Sequence, residues 1–507
     1  MIRTAHVAID LGAESGRVVV GVLERGSGDN GVLRAHEVHR FEHRPTRLPS
    51  GLFWDIDALW REIVYGLRAG VRWSAAEGLG LVSVGVDAWG VDFALVDEGG
   101  EIVVPPHCYR DERHDAAMAR TLAAIPEAEI FARTGVRTMS INSLYQLVAR
   151  VGELGNAVID RAASLLFIPD YFHFRLSGVR KNEASIASTS QMVDRSSGAW
   201  AGEMLGKLEL PVQMLGEIVR PGTVLGAVRA EIAREIGLDA AAGAKFMVVV
   251  PGSHDTASAV AAVPAAAGTS WAYLSSGTWS LLGIELDRPC ITEAARLGEF
   301  TNEVGVSGTT RFHKNIVGLW VVQECRRDFE RLGQVFSYAD LTGVAASARP
   351  FRTVLDLDHQ PFLMPGEMLE KIRTFARETE QPEPRTPGEF IRCCLESLAL
   401  SYRTTLGALE RVAGRRIEVI HVVGGGGKNR LLNQMTADAC ARPVLVGPLE
   451  ATAVGNGLVQ AMGLGLVKDL AEVRRVVARS SAVERFEPEK TDRWGEAESR
   501  LAGLRGE

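Results

Sequence analysis

Apolar and polar positions follow two rhythms along this chain. Short runs rich in β-branched residues end in small or acidic turns, and between them lie stretches whose apolar positions return every three or four residues. The first run, Val7-Ala8-Ile9-Asp10, turns through Leu11-Gly12-Ala13-Glu14-Ser15-Gly16-Arg17 and resumes as Val18-Val19-Val20, which predicts a hairpin. Arg34 to Phe41 predicts a third strand, and Leu59 through Leu67 a helix with Asp57 placed as its N-cap. Leu81 to Asp87 reads as a buried strand and Ala88 to Val96 as a second apolar run, closed by the turn Asp97-Glu98-Gly99-Gly100. From there to about residue 240 the pattern is helical and loop material, including the polar loop Pro105 to Arg113 and the mixed stretch Phe167 to Phe172.

The same grammar restarts near the midpoint. Phe246 to Val250 is a strand run ending in Pro251-Gly252-Ser253-His254-Asp255-Thr256. Trp271 to Leu274, the turn Ser275-Ser276-Gly277-Thr278 and Trp279 to Gly283 predict a second hairpin with a small, hydroxylated tip. Helical periodicity follows around Trp320, Val321 and Phe329, and again through Ile391, Leu395, Leu398, Tyr402 and Leu409. A strand from Ile417 to Val423 runs into Gly424-Gly425-Gly426-Gly427 and then a helical pattern with Leu431, Leu432, Met435 and Ala439. A small-residue turn, Gly447 to Asn456, is predicted to precede a last helix, and residues 481–507 read as a solvated, charged helix or tail. Strands alternating with helices place the chain in the α/β class, and the repeated pattern is what two copies of one architecture would give. The expected division is 1–250, 251–480 and the terminal 481–507.

Composition narrows the class without naming a chemistry. A chain of 507 residues is too long for one small core, so two or more domains are expected. The 46% hydrophobic and 23% charged content is that of an ordinary globular protein, and a formal charge of -7 offers no basic face for nucleic acid. No apolar run approaches the roughly 20 residues that cross a bilayer. The strand pattern begins directly after Arg3, which leaves no room for a signal peptide. Cys108, Cys290, Cys325, Cys393, Cys394 and Cys440 lack metal-ligand spacing and read as free thiols of a cytoplasmic protein.

Chemistry concentrates in the turns. Those at 10–17, 275–278 and 424–427 each follow a strand run, and small residues let main-chain N–H groups converge on an anion. None matches a P-loop or a dinucleotide fingerprint. Together they suit a split nucleotide site, with phosphates at the two hairpin tips and the nucleoside at the glycine–helix junction; ordinary turns remain the alternative. Asp255 ends a strand beside His254, where a carboxylate can accept a proton from a hydroxyl. It would equally serve as N-cap for a helix beginning at Thr256.

The combination of Asp10-Leu11-Gly12, Gly252-Ser253-His254-Asp255-Thr256, Ser275-Ser276-Gly277-Thr278-Trp279-Ser280 and Gly424-Gly425-Gly426 resembles the FGGY carbohydrate kinases. A closer likeness within that family rests on Asp87-Ala88-Trp89-Gly90-Val91-Asp92-Phe93, Tyr109-Arg110-Asp111, Lys314 to Trp320 and Asn433 to Ala439, so that it spans about residues 6 to 465. The resemblance implies two ribonuclease-H-like (actin-like) domains with an interdomain catalytic cleft. It implies Asp255 as general base, Gly90, His254, Asp255, Thr256 and Asn315 as sugar contacts, and Ala13, Glu14, Ser15, Gly16, Arg17, Thr278, Gln323 and Gly425 as ATP contacts. Mg²⁺ would accompany ATP, linked through water to Asp10.

The implied reaction moves the γ-phosphoryl group of ATP to the 1-hydroxyl of a ketose, L-rhamnulose. The implied partners are therefore small molecules, without nucleic acid or membrane, on a monomer or small homo-oligomer. Fuculose- or xylulose-type substrates, and a non-catalytic actin-like module, remain alternatives. One residue departs from the family's loop: Glu14 stands where a serine is usual, and a carboxylate there either turns outward or helps hold the metal.

Overall fold

The computed structural model describes residues 2–26 and 31–505, so the first residue and the last two of the expected segments lie outside the described residues. The chain forms two compact units that are not continuous in sequence. Unit 1 takes Met1–Pro264, Glu285–Phe312 and Ala451–Ser481; unit 2 takes Ala265–Ile284, His313–Glu450 and Ala482–Glu507.

Unit 1 is built on the hairpin of β1 (Ile2–Leu11) and β2 (Ser15–Arg25), followed by β3 (Val32–Glu42), α1 (Ile56–Ala76), β4 (Leu81–Ala88), β5 (Val224–Ala227), β6 (Met247–Val249) and α2 (Asp255–Ala261). The sheet order is β5-β6-β4-β1-β2-β3. β1 and β2 run antiparallel, while β4 lies parallel to β1 with Asp10 opposite Asp87 and Leu11 opposite Ala88. Val7, Ala8 and Ile9 are all buried, because β1 is covered on both faces and therefore shows a continuous apolar run. Helix α1 buries Ile56, Leu59, Trp60, Ile63, Val64 and Leu67.

Three details of unit 1 differ from the sequence pattern. Asp55, not Asp57, caps α1: its side chain accepts from the Ala58 N–H at 2.8 Å, and Asp57 falls in the first turn. The helix starts before its apolar period is visible, and Asp57 still faces the positive helix end. The region to residue 240 also contains strands, since Phe93–Val96 pairs antiparallel with Ile102–Val104 and with Ser164–Phe167. The buried four-residue run Ser164–Phe167 is too short to carry a period. Finally, the small residues from Ala451 onward are helix rather than turn, forming Ala451–Gly463 in unit 1. Their size serves close packing, because a Cβ on Gly455 would lie 1.8 Å from the Ser258 carbonyl oxygen of α2.

Unit 2 contains β7 (Trp271–Ser276), residues 279–284 of β8 (Trp279–Leu286), residues 313–317 of β9 (Thr310–Val317), α3 (Pro387–Ala413), β10 (Val419–Val423), α4 (Arg430–Cys440), β11 (Val444–Val446) and β12 (Glu484–Phe486). Six strands of a seven-stranded sheet follow in the order β9-β8-β7-β10-β11-β12. β7 and β8 form an antiparallel hairpin, β10 runs parallel to β7, β11 parallel to β10, and β12 antiparallel to β11. This repeats unit 1 strand for strand: hairpin, parallel neighbour, second parallel strand, antiparallel edge. The segment after residue 480 ends in the helix Trp494–Arg505, which keeps an exposed charged face while Phe486, Trp494, Ala497 and Leu501 are buried. Helix α3 opens with a Thr386–Glu389 capping box and stops at Gly414 in the left-handed region, φ 65°. Among the described residues no helix is long and apolar enough to cross a membrane.

Candidate active site

In unit 1 three backbone ends converge. The Ala88 N–H donates to the Ser253 carbonyl at 2.9 Å and the Trp89 N–H to the Leu11 carbonyl at 3.1 Å. The parallel strands β1 and β4 therefore deliver Asp10 and Asp87 at their carboxyl ends, where open α/β sheets bind ligands, and the loop after β6 delivers His254 and Asp255.

The three carboxyl groups differ in environment. Asp10 Oδ2 accepts from Arg17 Nε at 2.8 Å and Nη2 at 2.6 Å, so the charge expected to meet an anion is engaged with Asp10. Asp87 is fully buried; its Oδ2 accepts from Asn456 Nδ2 at 2.6 Å, and its Oδ1 has no partner among the described residues. Burial, with the negative charges of Asp10 and Asp255, holds the Asp87 carboxyl well above its ordinary pKa against the Asn456 hydrogen bond. Asp255 is the first residue of α2, while His254 occupies the cap position, so Asp255 does not cap. Its Oδ1 accepts from Thr256 Oγ1 at 3.0 Å and lies 3.5 Å from His254 Nε2. Burial raises its pKa, His254 opposes this, and Asp10 adds to it. The Thr256 hydroxyl thus holds the Asp255 carboxylate directly.

Asp87 ends a buried polar chain. Asn456 Oδ1 accepts from Gln460 Nε2 at 2.5 Å, and Gln460 Oε1 accepts from Ser83 Oγ at 2.7 Å. Ser83 Oγ then takes the His6 Nδ1 proton at 2.7 Å, leaving His6 Nε2 to accept from Thr4 Oγ1 at 3.0 Å. Burial depresses the His6 pKa to about 4, so the ring is neutral and the chain of donors is consistent throughout.

Gly90 stands beside His254: a Cβ there would lie 3.4 Å from His254 Nε2 and 3.4 Å from Thr189 Cγ2. The next residue, Val91, is held at φ 70°, costly for a β-branched side chain. Its N–H donates to Thr189 Oγ1 at 3.1 Å, and its carbonyl accepts from Ser143 Oγ at 2.5 Å. Asp92 completes the turn, accepting from the Trp54 and Trp89 indoles at 2.5 and 2.9 Å and from Gln146 Nε2 at 2.8 Å. Burial pushes its pKa up to about 6.

The hairpin tip is braced from outside. His43 Nε2 donates to the Gly12 carbonyl at 2.7 Å, and the His43 N–H donates to the Glu14 carbonyl at 3.2 Å. Ala13 packs against the unit 1 core, and Ser15, Gly16 and Arg17 open β2. Gly16 is required by packing, because a Cβ would lie 2.2 Å from Phe41 Cζ. Glu14 turns outward: its side chain is 42% exposed, with the carboxylate 3.9 Å from Arg110 Nη1.

Unit 2 holds the remaining expected residues. Gln323 Nε2 donates to Thr278 Oγ1 at 3.2 Å, while the Trp320 N–H donates to the Thr278 carbonyl at 3.2 Å. Gly424 is left-handed at φ 86°, and a Cβ on Gly426 would lie 2.1 Å from Ser276 Oγ. The glycines thus bring the β10–α4 junction against the β7 end of the second hairpin. Gly425 has open space where a Cβ would stand, and Asn315 lies on β9.

Asn456, Gln460, Glu183, Glu303 and Arg311 were invisible in the sequence pattern. Glu183 Oε2 accepts from the Ser253 N–H at 3.0 Å and from Ser185 Oγ at 2.6 Å, anchoring the loop that carries His254. None of these residues falls in the turns at 10–17, 275–278 and 424–427 or in the stretch Gly252 to Thr256, where the sequence concentrated its chemistry.

Two units of one strand order, each with a hairpin tip beside a parallel strand, define the two-domain α/β fold of the actin-like sugar kinases. Solved structures align over the whole chain: gluconate kinase from Lactobacillus acidophilus with TM-score 0.80 and 14% identity, covering 100% of this chain and 98% of that one. Xylulose kinase from the same organism gives 0.78 and 14%, covering 99% and 98%. The profile described as "FGGY family of carbohydrate kinases, N-terminal domain" matches residues 5–262, and its C-terminal counterpart matches 272–464. The chain belongs to the FGGY family of carbohydrate kinases. Its similar relatives include rhamnulokinases from Bacteroides thetaiotaomicron, 39% identical over 97% of both chains, and from Bacillus subtilis, 37% identical over 96% of both. Another, from Pectobacterium carotovorum subsp. carotovorum, is 39% identical over 98% of this chain and 94% of its own.

Proposed function

We propose that this chain transfers the γ-phosphoryl group of ATP to the 1-hydroxyl of L-rhamnulose, giving L-rhamnulose 1-phosphate and ADP, with Asp255 as general base. The observation that carries this reading is Asp255 itself: a partly exposed carboxylate at a strand-to-helix junction, hydrogen-bonded to Thr256 and adjacent to His254, which Gly90 flanks. The full-length likeness to proteins named rhamnulokinase supports the choice of ketose. Free thiols at all six cysteines support a reducing, cytoplasmic setting.

Phosphoryl transfer asks the protein for positioning and charge stabilisation rather than covalent work. Asp255 takes the hydroxyl proton as the sugar oxygen bonds to the γ-phosphorus and the bond from that phosphorus to ADP breaks. Thr256 holds one carboxylate oxygen, and the other accepts the proton. His254 and the Gly90 turn bind the sugar; the hairpin tip from Ala13 to Arg17 is assigned to the triphosphate, and Thr278, Gln323 and Gly425 to the nucleotide.

The donor set of Asp10, Asp87 and Asp255 is all hard oxygen, and Asp87 Oδ1 lacks a partner among the described residues. That combination fits a hydrated Mg²⁺, which keeps several waters rather than entering a protein cage. Asp10 and Asp255 would hold it through water, and when bound it neutralises charge on the phosphate oxygens.

The test is ADP release across a panel of ketoses. L-rhamnulose should give the highest kcat/KM, with fuculose and xylulose well behind. No response to L-rhamnulose would refute the assignment, and ATP turnover independent of sugar would refute the kinase reading.

A further inference from the structure

Three segments around Asp255 hang on one hydroxylated turn of unit 1. The short helix Ala184–Ala187 and the turn Ser188–Ser190 after it are buried, with Ser185 at 0% exposure, Ser188 at 1% and Thr189 at 3%. Each of these hydroxyls accepts a main-chain N–H from a different part of the chain. Ser185 Oγ accepts from His254 at 3.1 Å, Ser188 Oγ from Val304 at 2.8 Å, and Thr189 Oγ1 from Val91 at 3.1 Å. The segments so held carry Asp255, the Gly90 turn, and Glu303 with its Oε2 3.0 Å from His254 Nδ1 and 2.7 Å from Arg311 Nη2.

The directions of these bonds follow from the groups themselves. A main-chain N–H only donates, so each hydroxyl is the acceptor and sends its own proton elsewhere. Each sends it back into the turn: Ser185 Oγ to Glu183 Oε2 at 2.6 Å, Ser188 Oγ to the Ser185 carbonyl at 2.9 Å, and Thr189 Oγ1 to the Ile186 carbonyl at 2.8 Å. Glu183 caps the helix, accepting from the Ser185 and Ile186 N–H groups at 2.7 and 3.2 Å, and it also accepts from the Ser253 N–H at 3.0 Å. With donor and acceptor sides both engaged, the hydroxyls are locked, and the turn cannot shift without breaking several buried bonds together. Alanine would build the same turn at lower cost, so the hydroxyls are accounted for by the segments they hold.

We propose that Ser185 and Thr189 are positioning residues for the sugar: four positions apart on one rigid segment, they set the separation between the loop carrying Asp255 and the Gly90 turn. This rests on the sugar-kinase reading above and deepens it. Thr189 bears on the Gly90 turn twice. Its Oγ1 takes the Val91 N–H and so helps hold Val91 at φ 70°, and its Cγ2 would lie 3.4 Å from a Cβ on Gly90, as would His254 Nε2. A β-branched residue keeps a left-handed φ only where its surroundings over-determine it, so loss of that acceptor lets the turn relax. Ser185 works from the other side, through the main chain of His254, the residue before Asp255. A misplacement of about 1 Å between elements that grip a substrate can cost about 10²-fold in rate without any change in the reacting groups.

The experiment compares sugar and ATP kinetics in Thr189→Val, Thr189→Ser and Ser185→Ala of the full chain. Thr189→Val keeps the shape and loses the acceptor, so KM for L-rhamnulose should rise about tenfold to a hundredfold while KM for ATP is unchanged. Thr189→Ser restores the hydroxyl and should return the sugar KM to within about threefold of wild type. Ser185→Ala should lower kcat about tenfold to a hundredfold, again with KM for ATP unchanged. An unchanged sugar KM in folded Thr189→Val, or an unchanged kcat in folded Ser185→Ala, overturns the proposal. So does an equal rise in both KM values or a failure of Thr189→Ser to rescue, the marks of a merely structural role. Should the variants not fold, hydrogen exchange in the wild type decides: the Val91 and His254 amides should be protected, and exchange at open-loop rates overturns the proposal. Should the wild type not use L-rhamnulose, that assignment falls, and the same comparison with the ketose it does use decides the positioning.

Discussion

Asp10 and Asp87 are register partners on adjacent parallel strands, and they are held by different means: Asp10 by the guanidinium of Arg17, Asp87 through Oδ2 by the side-chain amide of Asn456. One carboxyl is charge-paired and the other buried beside it without a cation of its own in that bond. The pair places negative charge where the proposed base, Asp255, must stay receptive to a proton.

Replacing Asp87 by Asn should stabilise the fold. The Asp87 pKa is raised in the folded state, so its contribution to stability is present at low pH and lost as pH rises. The amide removes that loss while still accepting from Asn456. Urea unfolding should show a gain of about 1 kcal/mol at pH 8 and a smaller one at pH 5. Destabilisation at both values would mean that the carboxyl is not in repulsion.

Asp255→Asn should leave ATP and sugar binding within about threefold of wild type and lower kcat by about 10²–10⁴-fold, the usual worth of a general base. Calorimetry separates binding from turnover. Near-wild-type kcat would remove Asp255 from the mechanism.

Gly455→Ala should disturb the site from behind. The added Cβ would meet the Ser258 carbonyl at 1.8 Å, and backbone cannot rotate away as a side chain can. The helix Ala451–Gly463 must then shift from α2, whose first residue is Asp255. A stability loss of about 1–3 kcal/mol with reduced kcat is expected, whereas Gly425→Ala, where nothing lies within 4 Å, should leave stability unchanged.

Acid should unfold the protein partly through two buried neutral histidines. Burial lowers the His6 pKa to about 4 and the His173 pKa to about 3. The unfolded chain binds these protons near pH 6.5 and the folded chain does not, so stability present above pH 6.5 is lost as pH falls toward 4 and 3. Each group contributes roughly 3–5 kcal/mol by this linkage. His6→Gln should flatten the decline in urea midpoint between pH 6.5 and 4, and an unaltered slope would exclude His6 as a source.

Much of the fold was legible because strands and turns announce themselves locally. Val7 to Ile9, the two hairpins and the run Val419–Val423 are continuous apolar segments ended by small residues, and each formed as the pattern predicts. Local pattern failed where size, not hydrophobicity, carried the meaning. Ala451 to Asn456 look like a turn by composition, yet Gly455 is small because α2 packs directly on it.

The sequence by itself determined the strand-and-turn grammar, the duplicated architecture and the residues around Asp10, Asp255 and Gly424, because those signals are written in neighbouring positions. The tertiary structure alone decided which groups surround them. Asn456 reaches Asp87 across 369 positions, and Glu303 reaches His254 across 49. A buried polar atom must find its partner in space, and nothing in the spacing of residues along a chain says which distant side chain will answer it.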